Sequence, residues 1–246
     1  MIERLKTQQN KLLANERHEA WENVARKIAH EIKNPLTPIQ LIIDSLKNKY
    51  TNLLDDKNKI SFNEKVKTIN KQVKLIEKLV NEFSDFARMP KPIFKKTNLR
   101  KIVDESLKLM KINDNTLKIN LRSDDIILMK ADSEQINRVF INLIKNSIES
   151  LNEKYQKNTD FVKKIMIEIN QIKDYIEILI IDNGTGFNTT YLSEISKPYF
   201  TTKKNGSGLG LSIVVKIIND HNGTIEFLNY KQGAKIKITF PKLNVS

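Results

Sequence analysis

Between Trp21 and Leu46 the apolar residues Trp21, Val24, Ile28, Ile32, Ile39, Ile43 and Leu46 recur at helical spacing, one stripe along a long helix. A second helix is predicted after the polar stretch KNKYTNLLDDKNK at 47–59. Ser61 with Glu64 three residues on makes a capping box at its start, and Phe62, Val66, Ile69, Val73, Ile76, Val80, Phe83 and Ala87 then alternate steps of four and three. That alternation is a heptad seam. A lone hairpin in water cannot bury both stripes, so the pattern predicts a four-helix bundle assembled from two chains. RMPKPIF at 88–94 ends the second helix, because proline donates no backbone bond and turns its predecessor away from helix.

Beyond the prolines the period changes. Helices are predicted over 99–110, over about 132–153 and near 210–221. LKINL at 117–121, KIMIEI and YIEILIID read as strands, and GTIEFLN with GAKIKITF as a terminal strand pair. Helices mixed with strands in this order predict an α+β domain.

Composition narrows the class. The 246 residues, 39% of them hydrophobic, suffice for one large domain or two ordinary ones. With no cysteine there is neither a disulfide framework nor a cysteine metal site, which fits a reducing, cytoplasmic setting. No apolar run approaches the roughly 18 residues of a membrane helix, and MIERLKTQQNKLLANER lacks the apolar centre of a signal peptide. A net charge of +13 would suit phosphate binding, but the lysines are scattered through helix and strand patterns alike, so no nucleic-acid partner is expected.

Turning the first helix at about 100° per residue sets His30 opposite the centre of the apolar stripe, on the solvent side. Asn34 lies one turn on and shares that face, and Glu31 is adjacent. Pro35 removes the helical bond to the Glu31 carbonyl, so a bend is expected beside His30. In the second half Asn142 and Asn146 are four apart with Glu149 three further on, all facing one way. Asp182 ends an apolar strand, and Gly184 and Gly186 after it permit a turn with close backbone approach. In NGSGLGLSIVVKII, 205–218, three glycines lead into an apolar-periodic helix, where backbone N–H groups form a ready anion site. The spacing is neither a dinucleotide fingerprint nor a P-loop.

In order, HEIKNP, NLIKNSIES, DNGTGF, PYFTTK and GSGLGL resemble the H, N, first glycine, F-like and second glycine boxes of bacterial two-component sensor histidine kinases, across nearly the whole chain. AWENVARKIAHEIKNPLTPIQL and EFSDFARMPKP are most similar to the nitrogen-regulation sensor kinases of the NtrY type. The resemblance implies a multidomain chain. An all-α dimerisation and phosphotransfer hairpin would span 1–89 and form the four-helix bundle as a dimer. A linker would follow at 90–97, then an α+β sandwich ATP-binding domain of the Bergerat (GHKL) type at 98–246.

The resemblance also implies roles. His30 would accept the γ-phosphoryl of ATP on Nε2, with Glu31 on the other ring nitrogen, and Asn34 would position water for dephosphorylating the partner, a response-regulator receiver domain. Asn146 would coordinate Mg2+, with Asn142 and Glu149 completing that wall. Asp182 would accept from the adenine amino group, with Gly184 and Gly186 shaping the pocket beneath it. Gly206, Gly208 and Gly210 would line the lid over the phosphates, and Thr202, Lys203 and Leu209 complete the nucleotide set. Three positions depart from the family pattern: Ser147 stands where alanine is usual, Lys197 precedes Pro198 where an acid is common, and HNG at 221–223 replaces HGG. Ser147 is expected to be tolerated, and as none of the three falls on a proposed catalytic position, they bear on fine regulation more than on activity.

The family's transmembrane, linker and sensory segments would lie upstream of residue 1, as a kinase core cut from a membrane protein or a natural truncation. Membrane attachment, at the bacterial inner membrane in full-length relatives, is expected only through them. Two other classes compete. An ATP-binding clamp of the chaperone, mismatch-repair or topoisomerase kind would share the nucleotide pocket but have no use for an exposed His and Asn one turn apart. A basic scaffold or nucleic-acid binder would leave the glycine boxes unexplained.

Overall fold

The computed structural model describes residues 2–110, 116–158, 160–203, 206–231 and 233–242, with the backbone alone for 2–23 and 25. It divides into two compact units, Met1–Pro90 with Lys203–Ser207, and Lys91–Thr202 with Gly208–Ser246.

The first unit is built on two long helices, α1 (Ile2–Tyr50) and α2 (Asp56–Ala87). α1 extends well beyond the apolar stripe in both directions and continues through Pro35 and Pro38. α2 starts earlier than the Ser61–Glu64 box suggested. Asp55 takes the cap position, its carboxylate accepting from the Asn58 backbone at 2.9 Å and side chain at 2.8 Å. Ser61 and Glu64 therefore sit inside the helix, a correction that follows from an aspartate being as good a cap as a serine and coming first in the chain. The two bonds from Asn58, backbone first, hold the Asp55 carboxyl below its ordinary 3.8.

Only half of the heptad seam is covered within one hairpin. Val66, Val73, Val80 and Ala87, seven apart, are buried, and Ile43 of α1 joins Val66 and Val73 in a cluster that Leu36 and Phe62 flank. The alternate column of α2 is open: Ile69 is 48% exposed and Ile76 42%. On α1, Val24, Ile28, Ile32, Ile39 and Leu46 are exposed as well. The side chain of Trp21 lies outside the described residues. A polar tie crosses the hairpin, Gln40 Nε2 donating to Asn70 Oδ1 at 2.9 Å.

Among its described residues the second unit holds three α-helices, α3 (Leu99–Met110), α4 (Ser133–Lys157) and α5 (Gly210–Asp220). Its strands are β1 (Lys95–Asn98), β2 (Leu117–Ser123), β3 (Leu128–Ala131), β4 (Lys163–Ile172), β5 (Tyr175–Asp182), β6 (Thr224–Tyr230) and β7 (Gly233–Pro241). Five strands form one sheet in the order β2-β4-β5-β7-β6, with β2 parallel to β4 and the other neighbours antiparallel. Alternation along them buries Ile165, Ile167 and Ile169 of β4, Ile176, Ile178 and Ile180 of β5, and Ile236, Ile238 and Phe240 of β7. The buried stripe of α4 includes Ile136, Val139, Phe140, Leu143 and Ile144, and that of α5 includes Val214, Ile217 and Ile218. Helices on a mixed sheet give the α+β sandwich expected.

β1 and β3 form a separate antiparallel pair that periodicity did not reveal. KKTN has no apolar alternation, and LMKA is too short to show one. Beside this pair a buried imidazole joins three segments. His221 accepts from the Asp132 backbone at Nε2 (3.0 Å), its Nδ1 is 2.8 Å from the Ile217 carbonyl, and Phe94 meets the ring edge-on at 5.1 Å. Asp132 in turn caps α4, Oδ1 accepting from the Glu134 and Gln135 amides, and its Oδ2 takes the Ile93 amide at 2.9 Å.

Candidate functional site

The sequence-selected residues fall into two groups that belong to different units. In the first, His30 is exposed on α1 next to buried Ala29, and Asn34 is exposed one turn further along. Glu31, with a side chain 64% exposed, is directed at Lys27, 3.9 Å away and one turn back. Residues four apart lie on one helix face, which brings Lys27 within reach of Glu31.

The second group is organised around Asp182. It is the last inward-facing position of β5, 6% exposed, continuing the column of Ile176, Ile178 and Ile180. Both carboxylate oxygens are held. Oδ2 accepts from Ser147 Oγ at 2.8 Å, and Oδ1 from the Gly184 amide at 2.9 Å and the Ala234 amide at 3.4 Å. Gly184 has no room for a side chain, since a Cβ there would strike Ser150 Oγ. Ser150 Oγ accepts the Thr185 amide at 2.9 Å and lies 3.0 Å from the Thr185 hydroxyl. Lys154 donates to the carbonyls of Asn183 (2.7 Å) and Gly184 (3.0 Å). On the far side of the turn, Asn229 Nδ2 donates to Phe187 O, and the Phe187 amide donates to Asn229 Oδ1 at 2.7 Å, which closes the segment containing Gly186.

Ser147, Ser150 and Lys154 thus grip residues 182–185 from one face of α4. Sequence reading passed over Ser150 and Lys154 and treated Ser147 only as a tolerated departure. The signal was present as polar residues at steps of three and four within an apolar-periodic helix, where serine is a poor choice unless its hydroxyl has work to do.

The wall facing the glycine helix comes from the same α4. Asn142 Nδ2 donates to the Arg138 carbonyl at 2.9 Å, and its Oδ1 lies 3.3 Å from where a Cβ on Gly210 would sit. Asn146 is half-buried and Glu149 exposed, each continuing the face of the one before it. Gly208 adopts φ +71° and lies so close to the backbone of Tyr199 and Phe200 that a side chain would overlap them; its carbonyl accepts the Tyr199 amide at 3.1 Å. Tyr199 itself has φ +68°, and desolvation pushes its phenol above the ordinary 10.0. Leu209, 2% exposed, stands at the cap of α5, so no side chain caps that helix start.

The structure therefore joins Asp182 with Gly184, and Asn142 with Gly210, in one unit, and it sets Gly208 against Tyr199 and Phe200 of the F-box-like segment, in which Thr202 is exposed. Lys203 and Gly206 fall in the Lys203–Ser207 segment assigned to the first unit, where the Gly206 amide donates to Lys203 O at 3.2 Å. Asn205, the first residue of the glycine stretch, lies outside the described residues.

Two family models match the chain in sequence. His Kinase A (phospho-acceptor) domain covers 20–92, and Histidine kinase-, DNA gyrase B-, and HSP90-like ATPase covers 131–244. The nitrogen regulation protein NtrY of Azorhizobium caulinodans is 36% identical over 230 residues, 93% of this chain and 30% of that protein. A protein of Rickettsia felis described as NtrY-like is 37% identical over 242 residues, 98% of this chain and 39% of that one. The chain thus spans only 30% to 39% of the length of these relatives. Among solved structures, the histidine kinase ThkA in complex with the response regulator protein TrrA is 25% identical, with a TM-score of 0.64 over 97% of this chain and 67% of that one. With a phospho-acceptor hairpin followed by an ATPase-type α+β unit, and with these relatives, the chain belongs to the sensor histidine kinase family and is similar to its NtrY-type members.

Proposed function

We propose that the chain is the kinase core of a two-component sensor. It binds ATP in the α+β unit, transfers the γ-phosphoryl group to His30, and delivers it to an aspartate of a response-regulator receiver domain, from which it also removes it. The observation that carries this reading is an exposed histidine on a helical hairpin in the same chain as a buried carboxylate clamped at a glycine turn of an ATPase-type unit. The relatives named NtrY, and a kinase solved with its response regulator, support it. The domain limits are 1–89, 90–97 and 98–246.

In transfer, the Nε2 lone pair of His30 forms the new bond to phosphorus, the bond from phosphorus to the oxygen bridging the β-phosphate breaks, and ADP leaves. Nδ1 keeps its proton, and Glu31 orients it once its carboxylate leaves Lys27 for the ring. Magnesium, when bound with the nucleotide, neutralises charge on the phosphate oxygens. The amide oxygen of Asn146 would hold such a hard cation, with Asn142, its nitrogen already committed to the Arg138 carbonyl, and Glu149 completing that wall. Asp182 accepts the amino group of the base. Gly206, Gly208 and Gly210 line the lid over the phosphates and Thr202, Lys203 and Leu209 complete the nucleotide set, with the uncapped start of α5 favouring negative charge. Asn34 holds the water that attacks a phosphoaspartate docked over the His30 face.

The chain works as a homodimer through the open columns of the hairpin. Among the described residues no helix is long and apolar enough to cross a membrane. A cytoplasmic core attached to the membrane through segments outside this sequence completes the reading.

Incubation with γ-labelled ATP and magnesium tests it. Label is expected on wild type and absent from His30→Ala, which still binds nucleotide, and the modification should be acid-labile and base-stable. Hydrolysis of ATP with no label on the chain would favour the clamp ATPases instead.

A further inference from the structure

Ser147 is the one departure from the family pattern that touches the nucleotide site. It is 3% exposed, and its hydroxyl donates to Asp182 Oδ2 at 2.8 Å, while backbone amides occupy Oδ1. A carboxylate offers two oxygens with about four acceptor positions between them. Three donors already occupy positions on Asp182, two on Oδ1 and one on Oδ2. The Ser147 donor also prevents rotation of the carboxylate, because turning it would break the bonds on both oxygens at once. Alanine at 147 would leave Oδ2 held by no side chain of α4.

We propose that Ser147 is a specificity-determining residue that acts through Asp182, fixing the second carboxylate oxygen as the acceptor that reads an exocyclic amino group on the purine. The inference rests on the ATP-binding reading above. A base that brings an N–H to Oδ2 completes its acceptor set, and a base that brings a carbonyl or a bare C–H does not. Because Ser147 touches the carboxylate and not the phosphates, its removal weakens base recognition and leaves phosphoryl transfer from bound nucleotide unchanged. Ser150, three residues on, provides the contrast: its hydroxyl holds Thr185 and makes no bond to the carboxylate.

The test is a cycle of two proteins and two nucleotides on the full chain. Wild type and Ser147→Ala are titrated, with magnesium, with ATP and with purine riboside triphosphate, which lacks the amino group; melting temperatures confirm that both proteins are folded. The substitution is expected to weaken ATP binding about tenfold, because a carboxylate no longer held by Ser147 presents Oδ2 less well for the charge-assisted hydrogen bond from the amino group. Purine riboside triphosphate binding should change less than about twofold, because non-additivity isolates the pair that is coupled. KM for ATP in autophosphorylation should rise with kcat unchanged. Equal losses for both nucleotides, or no loss for ATP, would overturn the role of Ser147 while leaving ATP binding intact. Failure of the wild type to bind either nucleotide would overturn the ATP reading together with it.

Discussion

The two units solve the burial problem differently. In the α+β unit the side chains that sequence marks as apolar are covered within one chain: Val139, Phe140, Leu143 and Ile144 of α4 and Ile176 and Ile178 of β5 have no exposed surface. In the hairpin, one column of the same heptad seam is buried and its alternate is open. A sheet flanked by helices can close a core on itself, whereas two helices enclose a single line of contact. The chemistry divides in the same way. Asp182 is immobilised by three donors, while His30 and Asn34 stand exposed on α1, as the proposed transfer requires.

The largest expected effect comes from loading the open column with charge. Ile69→Asp with Ile76→Asp should raise the dimer dissociation constant at least about a thousandfold, since pairing two such chains would bury four carboxylates among apolar side chains. Sedimentation across a dilution series checks it, and unchanged association would mean that the open column is not the interface. Next, Phe140→Ala should cost about 3–5 kcal/mol in the α+β unit, with a urea midpoint independent of protein concentration, because that core needs no second copy. A midpoint that rises with concentration would break the contrast between the units.

Smaller effects sharpen the comparison. Asp182→Ala should cost about 1–3 kcal/mol by leaving the Ser147 hydroxyl and the Gly184 amide buried without their acceptor, while His30→Ala, at an exposed site, should fall within about 0.5 kcal/mol of wild type. Equal costs at the two positions would remove the distinction between a locked and an exposed site. The smallest effect concerns Asp55. Its folded pKa is depressed, so the cap contributes stability above the unfolded value near 3.8 and loses it as pH falls through the lower folded value. Helix content followed by circular dichroism on acidification should fall through that window in wild type, and Asp55→Asn should remove that component of the transition.

By itself the sequence determined what is written locally. The helical stripes, the alternating strands and the proline break at 88–94 repeat at short range, so α3, α5, β2 and β5 were all legible, as were the five boxes carrying His30, Asn146, Asp182 and the glycines. Local pattern failed where two local signals competed, as at Asp55 and Ser61 for the start of α2, and where strands were too short to alternate, as at β1 and β3. Tertiary structure alone decided which column of a symmetric-looking seam is covered, because Val66 and Ile69 are equally apolar and only the position of α1 distinguishes them. It also decided that Ser147, a small change by composition, meets a carboxylate 35 residues away. Periodicity reports the face on which a residue lies; what stands opposite that face depends on how separate elements pack, and no interval along the chain encodes it.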